Sequence, residues 1–305
     1  MKKVLTLFMS ILVISVFGLE IIDDAGYKIV FDKPFKRIIS LYGAHTEVLY
    51  GLGLDKEIIG VSKHESYPPE ALKKPTFSYR DDAEKFISAN PDLVILRPAF
   101  YKRYGSLIKK LKDYGITVVA LQPLQYKDLF NYWKKIGVLT GKEKNSKRMI
   151  DNFKIELKKI QDIVKNIPKA ERKNIFFESG HKKFLTCAPN SMADTVLKTI
   201  GVGNIAKDAI LTGSTVAQYK KEMILDKAKK IDFYIAQKGA MNKITLDKIY
   251  KESGFEAIKA IKEKHVYIID EKIVSRPTPR LILGMKKLGE IIYPKYFKNL
   301  EVKNY

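Results

Sequence analysis

The chain has 305 residues, 56 Lys and Arg against 34 Asp and Glu for a formal charge of +22, and 46% hydrophobic residues. That much apolar material excludes a disordered or collagen-like chain and leaves room for two lobes of ordinary domain size. Only eight of the cations are arginine and the lysines are spread along the whole sequence, which describes a solvated surface and excludes a concentrated nucleic-acid-binding stripe.

Lys2 and Lys3 precede an apolar run from Val4 to Phe17, followed by the small Gly18. This layout predicts a secretory signal peptide over 1–18. The run is shorter than the ~20 residues that span a bilayer as a helix. The single Cys187 is far from this region, so no lipobox cysteine is available and no internal disulfide can form. The expected product is an exported, periplasmic protein with only peripheral membrane contact, acting as a monomer.

A short hairpin follows, Glu20 to Ile22 and Tyr27 to Phe31, turning at Asp24-Ala25-Gly26. The apolar runs Ile38–Leu41, Ile58–Val61, Leu93–Leu96 and Val118–Leu121 read as buried parallel strands. Glu47–Leu52, Ala83–Ala89 and Ser106–Tyr114 carry helical spacing between them. A second series comprises Ile175–Phe177, Phe233–Ala236 and Val266–Ile269, with helices at Ser191–Ile200, Lys221–Lys229 and Leu246–Tyr250. The fold class is therefore α/β, with two Rossmann-like lobes on parallel sheets, spanning 19–141 and 167–305. Between them, residues 142–166 contain no glycine or proline and place Ile150, Phe153, Leu157, Ile160 and Val164 at steps of three and four. This predicts one long amphipathic helix, a rigid connector that limits closure and leaves a largely preformed cleft. An internal echo, Val48-Leu49 before Leu52-Gly53-Leu54 and Val196-Leu197 before Ile200-Gly201-Val202, supports pseudo-twofold lobes.

Arg37-Ile38-Ile39-Ser40-Leu41, Thr46-Glu47-Val48-Leu49, Ile59-Gly60-Val61-Ser62, Tyr67-Pro68-Pro69 and Asn90-Pro91-Asp92-Leu93-Val94-Ile95 run in order along the first lobe. Val274-Ser275-Arg276-Pro277-Thr278-Pro279-Arg280-Leu281, a helix, and Tyr293-Pro294-Lys295-Tyr296-Phe297 close the second. This ordered set resembles the periplasmic binding proteins that feed ABC importers for vitamin B12, ferric siderophores and haem, over nearly the whole chain beyond the signal segment. The resemblance implies a receptor with no intrinsic cofactor and no catalytic residues. Its cargo would be a ferric siderophore or similar chelate, a corrinoid or a haem, delivered to a permease dimer with its ATPase subunits. It also implies that one glutamate at the top of each lobe docks on the permease, which here falls on Glu84 and Glu222; as a bland alternative, both stabilise a helix start.

In open α/β lobes the ligand lies beyond the carboxyl ends of the strands. The loops there carry Tyr42 and His45, His64, Tyr79 and Arg80, Arg97, His181, Lys238 and Met241, and Arg276. Scarce arginines placed at strand ends suit anionic oxygens, so they point to an anionic ligand, whereas Arg280 reads as structural. His45, His64 and His181 could together hold a bare transition metal, a second form of the receptor reading. A different class, a chelatase-like enzyme on the same fold, lacks support: there is no glycine-rich phosphate loop, nucleophile elbow, H-E-x-x-H or cysteine set.

Overall fold

The computed structural model describes residues 18–212 and 215–303; all of the expected signal segment but Gly18, and the loop residues Gly213 and Ser214, lie outside them. An antiparallel hairpin of β1 (Leu19–Ile22) and β2 (Lys28–Phe31) comes first. Its turn is pinned to the first lobe: Asp23 accepts from the amide of Ala120, Asp24 from that of Gln122, and Asp24 pairs with Lys135.

The first lobe runs β3 (Ile38–Ser40), α1 (Gly43–Gly51), β4 (Ile58–Ser62), β5 (Thr76–Phe77), α2 (Ala83–Ser88), β6 (Leu93–Leu96), α3 (Pro98–Arg103), α4 (Gly105–Asp113) and β7 (Thr117–Ala120). Its sheet has the order β5-β4-β3-β6-β7 with every pair parallel. β3 and β6 are buried from end to end, which is why they read as continuous apolar runs without alternation.

Two antiparallel helices follow, α5 (Leu129–Thr140) and α6 (Glu143–Lys165). They meet so closely that a Cβ on Gly137 would lie 2.8 Å from the Cβ of Ser146. Phe153 of α6 packs edge-on against Trp133 and Phe130 of α5, at ring separations of 5.3 and 5.8 Å. At ~1.5 Å per residue the spine α6 is roughly 34 Å long. Met149, Ile150, Phe153, Ile160 and Val164 form its buried stripe, and the core they enter is continuous from Ile38 in the first sheet to Ile175 and Phe233 in the second.

The second lobe comprises β8 (Asn174–Glu178), β9 (Leu185–Cys187), α7 (Met192–Thr199), β10 (Gly203–Asn204), β11 (Ile210–Leu211), β12 (Val216–Gln218), α8 (Lys221–Asp226), β13 (Phe233–Lys238), α9 (Leu246–Tyr250), α10 (Lys259–Lys262), β14 (Val266–Asp270), α11 (Glu271–Val274), α12 (Leu281–Ile292) and α13 (Pro294–Phe297). Its parallel sheet has the order β10-β8-β13-β14, and β11-β12-β9 form a small antiparallel sheet. The internal echo has a structural cause. Gly53 and Gly201 follow α1 and α7 with positive φ of 78° and 77°. In each case the next residue sends its amide back to the helix, Leu54 to Leu49 and Val202 to Leu197, the left-handed closure that favours glycine.

Among the described residues the chain passes between the sheets once, through α5 and α6, but the lobes are also joined by polar contacts. Trp133 Nε1 donates to the carbonyl of Pro277 at 3.0 Å. Glu47, on α1 and with its side chain only 2% exposed, accepts from Arg276 Nη1 at 3.1 Å and from Arg280 Nε and Nη2 at 2.9 and 2.8 Å.

Candidate functional site

In the first sheet the strand order reverses between β3 and β6, so their carboxyl ends flank a crevice. Tyr42 leaves the end of β3 and Arg97 the end of β6. The Arg97 guanidinium lies between two rings, 4.8 Å from the centre of Tyr42 and 4.7 Å from that of Phe100. Phe100 in turn stacks on Tyr79 at 4.0 Å, Tyr79 on Tyr104 at 5.4 Å, and Tyr79 donates its hydroxyl to the carbonyl of Leu41. Burial pushes the Tyr79 phenol up to about 12 and also raises that of Tyr42, against the pull of Arg276 and Arg97. Both phenols are therefore neutral at physiological pH.

Arg97 has no carboxylate partner among the described residues, and its Nε is buried without a hydrogen bond. It borders a cavity of about 640 Å3 beyond the ends of β6 and β7, with Gln122, Leu124, Tyr132 and Lys135 on the other walls. A cation stacked on aromatic rings, with its Nε unpaired, at the edge of a strand-end cavity suits a ligand bearing anionic oxygens. Gln122 on the cavity wall, and Phe100 and Tyr104 in the ring stack beside it, are not marked out by the sequence; Phe100 lies three residues beyond Arg97, where Pro98 at the first helical position signals a helix.

Arg276 does not stand with Arg97. Its guanidinium is committed to Glu47, beside Gly43, where any Cβ would come within 2.3 Å of its Nη1. The sequence-based expectation of an arginine free in the cleft is thus corrected: a charge brought into a lobe junction is held by an opposite one. Arg80 is exposed in the turn before α2, and His64 is exposed in the loop after β4.

The three histidines do not converge. His45 is fully buried, its Nε2 donates to Leu121 O at 2.8 Å, and its ring sits against Tyr42 and Tyr132. Burial drives its pKa down to about 4. It supports Tyr42 from below and does not reach the cleft. His181 uses both nitrogens, Nδ1 at 2.8 Å from Glu178 and Nε2 at 3.3 Å from Glu252. Among the described residues no group of three or more His, Cys, Asp or Glu side chains is gathered closely enough to hold a metal ion. This overturns the bare-metal arrangement of His45, His64 and His181.

In the second lobe the carboxyl ends of β8 and β13 lie side by side. Glu178, with no exposed surface, accepts from the Tyr234 hydroxyl at 2.5 Å and from Asn242 at 3.0 Å in addition to His181. Lys238 is exposed and Met241 is 76% exposed at the rim. Gly239 leaves the space into which Glu271 folds, a Cβ there being 1.7 Å from the Glu271 carboxyl carbon; Glu271 accepts from the amide of Ala240. The Glu178 hydrogen bond raises the His181 pKa above its ordinary 6.5, with Glu252 adding to the effect. The protonated ring is the one that folding favours, so its contribution is complete below about pH 6.5 and fades as pH rises through the raised value. Urea midpoints measured from pH 6 upward should fall for the wild type with a slope that His181→Gln lacks; parallel curves would refute this.

Glu84 lies in the first turn of α2 with its side chain 73% exposed, and Glu222 is exposed in the first turn of α8. The neighbouring Asp81 is occupied by Lys85, Lys63 and the amide of Ser78, which leaves Glu84 the freer of the two acids.

Comparison with known proteins places this geometry in context. A family model described as periplasmic binding protein matches residues 38–273. YvrC of Bacillus subtilis, described as an uncharacterized ABC transporter substrate-binding lipoprotein, is 31% identical over 93% of this chain and 88% of its own. A vitamin B12-binding protein of Vibrio vulnificus is 24% identical over 88% of this chain and 93% of its own. Among solved structures, a possible iron-binding (periplasmic solute-binding) protein of Staphylococcus epidermidis superposes with a TM-score of 0.73 at 30% identity, covering 86% of this chain and all of the other. One of these relatives is a lipoprotein, whereas Cys187 here is buried in the second lobe.

Proposed function

The chain belongs to the periplasmic binding protein family, and from that premise we propose that its cargo is an anionic metal chelate, a ferric siderophore in the first instance. Like its relatives it is a substrate-binding protein of an ABC transporter and not an enzyme, and it works with a permease and its ATPase. No helix among the described residues is long and apolar enough to cross a membrane.

The observation that carries the chelate reading is Arg97. Of the arginines in or near the strand-end loops, Arg276 and Arg280 are neutralised by Glu47, whereas Arg97 presents its fork beside a roomy cavity on an aromatic bed. Such a group is suited to the oxygens of a hydroxamate, catecholate or carboxylate that also holds a metal. Cobalamin and haem fit the same family and form the second reading, favoured by the flat aromatic surface of Tyr79, Phe100 and Tyr104. The protein should be titrated with a ferric hydroxamate, a ferric catecholate, haem and cobalamin while its tyrosine and Trp133 emission is followed. Saturable quenching by one ferric chelate is the expected result. Indifference to all four sinks the proposal, and a response to cobalamin or haem alone selects the second reading.

Delivery rests on the two exposed acids in this reading, with 19–141 and 167–305 as the lobes that present them and 142–166 between. Each of Glu84→Lys and Glu222→Lys should cut chelate uptake in cells by about tenfold or more, as reversal of an interfacial charge does, while leaving chelate affinity in solution unchanged. Normal uptake by both variants would remove them from the docking surface.

A further inference from the structure

Among the described side chains that line the chamber beside Arg97, two atoms are buried without a hydrogen bond: Arg97 Nε and the hydroxyl of Tyr132. Tyr132 stands on α5 and is only 2% exposed. A tyrosine is normally brought inside with its hydroxyl bonded, because a phenol that gives up water and gains no partner is a net cost to folding. Phenylalanine would fill almost the same volume in α5 without that cost.

Two groups close by could satisfy the hydroxyl from within, and neither does. The His45 ring lies 5.9 Å from the Tyr132 ring, but its Nε2 serves Leu121 O and its Nδ1 is itself without a partner. Asp24, another lining residue whose charge reaches the phenol, is taken up by Lys135 and the amide of Gln122. Burial keeps the Tyr132 phenol protonated. A neutral donor is thus left at the wall of a cavity of about 640 Å3.

We propose that Tyr132 is a specificity-determining residue of the cargo site, whose hydroxyl donates to an oxygen of the cargo while Arg97 holds another. This deepens the cargo reading above and rests on it. Arg97 selects for charge, whereas Tyr132 selects for position. A hydroxamate, catecholate, carboxylate or amide oxygen placed at the hydroxyl completes its bonding. A cargo that presents carbon there leaves it unpaired, which is how a site built to bond one atom rejects an analogue lacking it.

A ferric hydroxamate, a ferric catecholate, haem and cobalamin are titrated calorimetrically into the full chain, Tyr132→Phe and Tyr126→Phe. Tyr126 is the control, since its hydroxyl is likewise buried without a partner but it does not line the chamber. Whichever of the four binds the wild type should bind Tyr132→Phe about three- to tenfold more weakly, the loss of one neutral hydrogen bond, and Tyr126→Phe equally well. The urea midpoint of Tyr132→Phe without cargo should equal or exceed that of the wild type, because no intramolecular bond is lost. A hydroxyl that serves only the fold gives the reverse, a lower midpoint with unchanged affinity, and overturns the proposal. A matching loss in Tyr126→Phe overturns it too. Unchanged affinity in Tyr132→Phe removes Tyr132 alone and leaves the cargo reading standing, whereas a wild type silent toward all four removes both.

Discussion

Glu47→Ala is expected to destabilise the protein by about 3–5 kcal/mol, the cost of leaving a buried ionic group without its partner. Three hydrogen bonds converge on that carboxylate from residues 229 and 233 positions further along the chain. Their donors are themselves largely enclosed, with side-chain exposures of 12% for Arg276 and 11% for Arg280. Removing Glu47 strands the guanidinium groups of Arg276 and Arg280, both from the second lobe, at the junction, where the half-buried carboxyl of Glu65 lies beside Arg276. Exposed pairs of the kind found along the spine, such as Lys147 with Asp151, are worth only about 0–1 kcal/mol. Urea denaturation separates the two cases, and a loss below about 1 kcal/mol would show that water reaches the cluster freely. Replacing all three residues together by methionine should cost less than Glu47→Ala, because no charge is then stranded.

Arg97→Ala should weaken capture of the cognate chelate by about ten- to 150-fold, corresponding to roughly 1.5–3 kcal/mol for hydrogen bonds to a charged group. Arg97→Lys should recover little of it. An ammonium cannot lie as a plane between Tyr42 and Phe100, nor offer a fork to two oxygens at once. Because Arg97 has no acid partner among the described residues, its removal strands no opposite charge. The urea midpoint should move far less than in Glu47→Ala. Equilibrium titration of the same chelate against wild type and both variants checks this. Equal affinities throughout would mean that the ligand sits elsewhere in the cleft.

How legible these features are in the sequence follows from their physical range. β3, β6 and β8 are buried on both faces, so their apolar runs fall on Ile38–Ser40, Leu93–Leu96 and Asn174–Glu178 to within a residue or two. The spine shows itself through a stripe at helical spacing uninterrupted over more than twenty residues. By contrast β5 has two residues and β10 two, too few for any period to register. The site is less readable for a different reason. A loop position after a strand identifies Tyr42, Tyr79 and Arg97 as neighbours of the crevice, yet the same rule selects His45, which turns inward with α1, and His181, which Glu178 and Glu252 hold in place. Arg276 occupies a correct loop, and only the fold reveals that Glu47 has claimed it. Nothing local to either residue carries that information.

The close seam between α5 and α6, where Gly137 admits Ser146, bears on how the lobes move. A loop hinge swings at little energetic expense and stops wherever it is left. A helix clamped along much of its length behaves as a leaf spring: bending stores elastic energy that grows with the square of the angle and supplies a restoring torque. Lobe excursions in this protein are accordingly expected to be small and self-reversing.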